Sequence, residues 1–231
     1  QWQWTHESYP ADAVSLRSVT SDNFVIIDQT NGERVIGETD FTSGPSVLHE
    51  KAIYILEGQL FQVEKLDFEN RKAFVRAVEC DYYTDAIDYT RVTSLDTFET
   101  AAPASHGEVH VVSRVVGFKK IKFYTNENVG AGKLSMPEQE LHTTSFWFHY
   151  PAPFLEAITE FSPSERQNGL SGLGNAFRTI ASLLLMCDPR DLGVAMSEDP
   201  SGALIDWAPN LYLYDNYPGG VGLSAPLYRL S

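Results

Sequence analysis

Apolar and polar residues alternate through much of the first hundred positions, with the period of two that marks strands having one wet face. The alternation is clearest in FQVEKL and AFVRAV. NFVIID (Asn23–Asp28) and the later GERVIG flank Asn31-Gly32, a pair that predicts a hairpin turn. KAIYILEGQLFQVEKLDFENRKAFVRAVE predicts three more strands. The first turns at Glu57-Gly58, the second ends near Asp67, and the third covers Ala73–Val78. Short strands joined by tight turns predict a small barrel or sandwich rather than a parallel βαβ sheet.

The pattern loosens after that. CDYYTDAIDY (Cys80–Tyr89) carries Asp81, Asp85 and Asp88 but lacks the glycine and closing glutamate of a calcium loop, so a polar loop is expected. TFETAAPASHG (Thr97–Gly107) is small and polar and predicts a linker or long loop. EVHVVSRVVGFKKIKFYT predicts a hairpin turning at Gly117, followed by a second loop over NENVGAGKL.

Beyond Ser145 the period becomes helical. SPSE (Ser162–Glu165) is a capping box with proline at the first helical position. Leu170, Leu173, Phe177, Ile180, Ala181, Leu184 and Leu185 follow at helical spacing, and Pro189 ends the run. One long helix is therefore expected over about 163–187. Gly169, Gly172 and Gly174 weaken its first half but permit close packing. A shorter helix is expected over Ala152–Phe161, and NLYLYD (Asn210–Asp215) reads as a buried strand. The expected fold class is α+β. A β-rich barrel-like or sandwich part over residues 1–100 precedes an α/β part with the long helix over 101–231.

Charge narrows the function. The 231 residues carry 31 acidic and 17 basic side chains, a formal net charge of -14, and 18 of the acids lie in the first hundred positions. Such a surface repels phosphate backbones and argues against autonomous nucleic-acid binding. GFKKIKF (Gly117–Phe123) is the local exception. It reads as a lysine-protected strand edge or as a small basic patch, with Lys120 and Lys122 on one strand face and Lys119 opposite. Lys119, Lys120 and Lys122 are the first DNA-contact candidates, with Arg17 and Arg178 behind them. No apolar run reaches the roughly 18–20 residues of a membrane span. The opening QWQWTHESYP has neither the basic start nor the apolar core of a secretory signal, and no initiator Met. A cytoplasmic chain without a membrane partner, processed or cut from something longer, is expected. Cys80 and Cys187 stand far apart and predict two reduced thiols.

The search for chemistry leaves little. PGGVGLS has no lysine of a P-loop and not the spacing of a dinucleotide loop, so Pro218, Gly219 and Gly220 are expected to make a turn. His106 and His110 form an HxxxH that flanks a strand rather than riding a helix, and His142 and His149 flank the aromatic FWF. No GxSxG elbow occurs. CDPRDLG gathers Asp188, Arg190 and Asp191 at the end of the long helix. The structural reading is a hub in which Arg190 pairs with a carboxylate and donates to the last helical carbonyls. The functional reading is a buried polar hub or a phosphate contact. No catalytic residue, metal ligand or cofactor is assigned within the chain.

YPADAVSLRS, NFVIID, GERVIGETD, HEKAIYILEGQLFQVEKLD, CDYYTDA, GEVHVVSRVVGFKKIKFYTNENVG, HTTSFWF, LLLMCDPRDLG and LYLYDNYPGGVGLS occur in that order. Together they resemble the C-terminal accessory region of DEAD/DEAH-like superfamily 2 DNA helicases, the mitomycin C repair helicase family. In that family the region ends in a cysteine-cluster, zinc-binding domain. The resemblance spans Tyr9 to Ser224 and implies a parent that hydrolyses ATP with Mg²⁺, moves 3′ to 5′ and serves DNA repair. It implies motor domains in cis as partners, DNA reached through the parent, and a repair nuclease as a further partner. The chain itself has no Walker A, DEAD/DEAH box or arginine-finger motif. Cys80 and Cys187 do not match the implied zinc ligands, which are expected beyond Ser231. The expected role is a non-catalytic accessory region. The alternative is a protein-interaction module of a helicase-associated phage-defence or repair complex.

Overall fold

In a computed structural model, residues 23–197 and 209–230 are described, so Arg17 lies outside them. Backbone contacts cluster into two compact units, each built from two stretches of chain. One takes the described residues up to Tyr89 together with Arg114–Pro137, and the other takes Thr90–Ser113 with Glu138 onward. The architecture is α+β.

The first unit holds a sheet ordered β2-β1-β5-β4-β3. β1 is Phe24–Asp28, β2 Arg34–Thr39, β3 Ile53–Leu56, β4 Gln59–Asp67 and β5 Lys72–Ala77. β1 runs antiparallel to β2 but parallel to β5, and β4 joins β3 and β5 antiparallel. The expected turns are where the dipeptides put them. Gly32 at φ 103° lies between β1 and β2, and Glu57 and Gly58, both at positive φ, join β3 to β4. A short helix, α1 (Gly44–Val47), helps close a core of Phe24, Ile26, Leu48, Phe61, Val63 and Val75. The Arg71 guanidinium lies over the rings of Phe24, Phe41 and Phe68, with its carbon 5.4, 4.4 and 5.0 Å from their centroids.

Three expected loops are strand instead. CDYYTDAIDY and the start of TFETAAPASHG fall in β6 (Tyr82–Ala101), the rest of that segment opens β7 (Ala104–Lys122), and NENVGAGKL supplies β8 (Asn128–Lys133). Gly117 is not a turn: β7 runs through it, paired with Lys133. A Cβ there would stand 2.8 Å from the carbonyl oxygen of Gly132, so the glycine marks a close strand approach rather than a corner. Small and acidic side chains lowered the strand signal although the backbone ladder does not need them.

The second sheet has the order β10-β11-β9-β7-β6, with β8 also paired to β7; β9 is Gln139–His149, β10 Leu192–Met196 and β11 Asn210–Asp215. One sheet face packs Val109, Val111, Trp147, Tyr212 and Tyr214. The other packs Ala104, Phe146, Leu192 and Leu213 against α3 (Pro163–Leu185) and α4 (Ser224–Leu230). The short helix α2 (Ala152–Ala157) precedes them. α3 starts at the expected capping box, Ser162 with Glu165, and ends on Met186 in the left-handed conformation at φ 53°. Its glycines serve unequally. A Cβ on Gly174 would meet Leu211 at 2.9 Å and Val194 at 3.2 Å, whereas Gly169 and Gly172 face open space.

The buried stripe of α3 is narrower than its apolar pattern. Leu170 and Ala181 are buried, and Leu173, Phe177 and Leu185 pack beside them. Ile180 and Leu184, expected inside, are 53% and 60% exposed and join Leu183 at 74% on another face.

Candidate functional site

The lysine segment lies on the last residues of strand β7, in the first unit. Lys119 is exposed, and Lys120 and Lys122 are half-buried. The Lys120 ammonium donates to the Tyr82 hydroxyl at 3.2 Å and sits 4.6 Å from that ring's centroid. Lys122 pairs with Asp81 at 3.6 Å. Two of the three lysines thus spend charge on neighbours within their own unit, which weakens them as phosphate contacts. Arg178 lies on α3, in the other unit.

Asp188, Arg190 and Asp191 do meet, in a 3-10 turn over Pro189–Asp191. Asp188 caps that turn, accepting from the Arg190 backbone N–H at 2.9 Å, while its own N–H donates to Asp191 at 3.1 Å. The Arg190 guanidinium grips Asp188 through Nε at 3.0 Å and Nη2 at 2.8 Å. The Arg190 side chain is 78% exposed. Asp191 reaches further, accepting from the Tyr217 hydroxyl at 2.6 Å. The Asn216 side-chain amide donates to the Arg190 carbonyl at 3.2 Å, tying this turn to the chain leaving β11.

The Pro218-Gly219-Gly220 corner follows directly. Gly219 and Gly220 sit at φ 75° and 77°, and Gly222 at 87°. A Cβ on Gly220 would collide with the Thr144 side chain. The Gly219 N–H donates to the His142 carbonyl at 2.8 Å. Thr143 from β9 donates its hydroxyl to the carbonyls of Asp215 and Tyr217 at 2.8 and 2.9 Å.

Asp215 is the residue the sequence reading missed. It is fully buried at the end of β11. Its Oδ2 accepts the backbone N–H groups of Val221, Gly222 and Leu223 at 2.8, 2.8 and 3.0 Å, and its Oδ1 accepts that of Ser224 at 2.9 Å. The glycine-rich loop therefore does form a concave nest of N–H donors, the geometry that binds anions. The anion is the chain's own carboxylate. The signal available in the sequence was the acid that ends an apolar strand, three residues before a PGG turn. Beyond the loop, the Ser224 hydroxyl donates to Thr144 at 3.0 Å and lies 3.3 Å from Nε2 of the buried His106. Burial pushes the His106 imidazole below its ordinary pKa, against the opposing pull of Glu99 and Asp215.

The N–H nest of the glycine-rich corner is thus filled by Asp215 from within the chain. Residues 173–231 match the family model described as the MrfA Zn-binding domain. The whole chain is 37% identical to the ATP-dependent helicase YprA of Bacillus subtilis, a match covering 99% of this chain and 30% of that protein. It is 27% identical to the ATP-dependent helicase HRQ1 of Saccharomyces cerevisiae over 64% of this chain and 14% of the other. A crystal structure of the helicase MrfA bound to DNA superposes with a TM-score of 0.62 at 36% identity, over 98% of this chain and 30% of that one. The chain spans about a third or less of these relatives. Over nearly its whole length the chain is thus similar to one part of the helicases YprA and MrfA, and its last quarter matches the MrfA Zn-binding domain.

The family model implies zinc, and the described residues of that stretch do not provide a site. Cys187 is the one cysteine within 173–231. It packs as a small apolar side chain beside Leu192 and Leu213, and burial with the nearby Asp191 pushes its thiol up, away from the thiolate that zinc requires.

Proposed function

We propose that this chain is the non-catalytic accessory region of an ATP-dependent DNA helicase of the repair type, packing on the motor domains in cis and supporting DNA engagement. The observation that carries the reading is the whole-chain likeness to a helicase solved with DNA, at 36% identity. ATP, Mg²⁺ and the cysteine-bound zinc belong to the parent, which would act in the cytoplasm. Packing is favoured over direct DNA contact by two features. Lys120 and Lys122 are already engaged, and the end of α3 presents Ile180, Leu183, Leu184 and Met186 to solvent, the last 92% exposed. A contiguous apolar stripe of this kind marks a surface that another protein surface covers, and the remainder of a helicase chain is the occupant proposed.

The test is association with the separately produced motor region of YprA, read by calorimetry. Binding by this chain, weakened at least about tenfold by Leu183→Glu with Met186→Glu, is the expected result. No binding, or binding indifferent to the double change, would reject the packing role. In parallel, a single-stranded oligonucleotide titrated at low salt reports on Lys119, Lys120, Lys122, Arg17 and Arg178. A net charge of -14 leads us to expect weak binding by the isolated chain.

A further inference from the structure

The rungs of β7 and β9 set His110 directly opposite His142, and Glu140 stands two residues before His142 on β9. Alternation along a strand puts residues of equal parity on one face, so all three side chains project from the same side of the ladder. The two imidazoles stack with centroids 4.5 Å apart and an interplanar angle of 25°. His110 Nε2 lies 3.3 Å from Glu140 Oε2. One donor atom from each of the three falls within 4.8 Å of the others. We propose that His110, Glu140 and His142 form a binding site for a zinc-like divalent transition-metal ion, separate from the stretch matched to the Zn-binding domain.

Two imidazoles and a carboxylate are the donor set of open zinc sites, in which water completes the tetrahedron. Bonds of about 2.0–2.1 Å separate tetrahedral ligands by roughly 3.4 Å. A donor spacing at the 4.8 Å limit must therefore close by about 1.4 Å, a motion within the rotation of exposed side chains. His142 is exposed and the Glu140 side chain is 64% exposed, so both are free to move. The ladder beneath them is fixed. His110 and His142 are paired within a continuous register from Ala104 to Ser113, and the His142 carbonyl is held by the Gly219 N–H at 2.8 Å. The glycine corner thereby braces a ligand's backbone. Among the described residues, the ring nitrogens of His142 have no protein hydrogen-bond partner, leaving an imidazole available to a metal.

This is not the HxxxH that the sequence offered. His106 and His110 share β7, but the His106 imidazole is turned to Ser224. The partner of His110 comes from the neighbouring strand, where spacing along the chain gives no hint of it.

The experiment is calorimetric titration of the reduced, chelator-treated 231-residue chain with Zn²⁺, with Co²⁺ absorption as an independent report of ligand type. One ion per chain is expected, with Co²⁺ bands lacking the sulfur charge-transfer feature. His110→Ala and His142→Ala should each weaken affinity at least about 100-fold, and Glu140→Gln by about tenfold or more. Cys80→Ser with Cys187→Ser should leave affinity unchanged. Circular dichroism confirms that each variant is folded, and the exposed His142 is the position least able to disturb the fold. Absence of zinc binding by the native chain, binding unaffected in folded His142→Ala, or loss on removing the cysteines would each overturn the assignment.

Discussion

The backbone N–H of Ser224 donates to Oδ1 of Asp215 at 2.9 Å, and three preceding N–H groups converge on the other oxygen of the same carboxylate. One side chain therefore terminates β11, shapes the glycine corner and starts α4. Its replacement separates the geometric from the electrostatic part. Asp215→Ala leaves four donors unpaired, of which the Ser224 N–H is sealed from water, and should cost about 2–4 kcal/mol. Asp215→Asn keeps one oxygen for the cluster of three but turns an amide NH₂ toward Ser224, and should cost about half as much. Urea melts read both. A native midpoint in Asp215→Ala would mean that the corner holds itself.

Arg190 invites the opposite expectation. Its two bonds to Asp188 have good geometry, yet the guanidinium stands in solvent, where ion pairs contribute little. Arg190→Ala should leave the urea midpoint within measurement scatter. Asp191→Ala loses both the Tyr217 hydroxyl and the Asp188 N–H and should cost about 1–2 kcal/mol. The hub thus turns on Asp191, and a larger loss in Arg190→Ala than in Asp191→Ala would reverse that ranking.

These residues show which parts of the molecule could be read from its sequence. Local chemistry was legible: the Ser162–Glu165 box starts α3, and Asn31-Gly32 and Glu57-Gly58 turn the hairpins because each signal acts within a few residues. Strand β6 was not legible. Its acids and threonines face water along most of its length, so little of the apolar alternation that betrays a strand is present. Gly117 and Gly132 oppose each other's strands across a turn, and a glycine that permits close approach looks in sequence like one that permits a bend. The long-range pairs, Asp215 with the loop and His110 with His142, depend on which strands become neighbours. No periodicity in the chain encodes that order.

His49 provides a pH test in the first unit. It is fully buried, its Nδ1 lies 3.0 Å from the Glu50 carbonyl, and its ring stacks on Phe118 at 4.9 Å. Nε2 is buried without a partner, so a second proton there would be charged and unsolvated. Burial accordingly lowers its pKa below the ordinary 6.5, only partly offset by the Glu50 bond. In the unfolded chain the imidazole recovers its ordinary value. As pH falls through that value the unfolded state takes up a proton that the folded state refuses. Stability is therefore fully present above about pH 6.5 and declines as pH drops toward the folded-state value. His106 adds to this trend in the second unit, since burial lowers it as well. Asp88 works against it, because burial and the nearby Asp85 raise its pKa and favour the folded state on acidification. Comparing the native chain with His49→Leu at each pH cancels Asp88 and His106 and isolates His49. Leucine fills a similar volume and removes the orphaned nitrogen, so the variant should match or exceed the native chain at about pH 7.5 and gain on it at about pH 5.5. Urea midpoints measure the gap. A gap that stays constant or narrows on acidification would show that His49 takes up its proton equally well in the folded state.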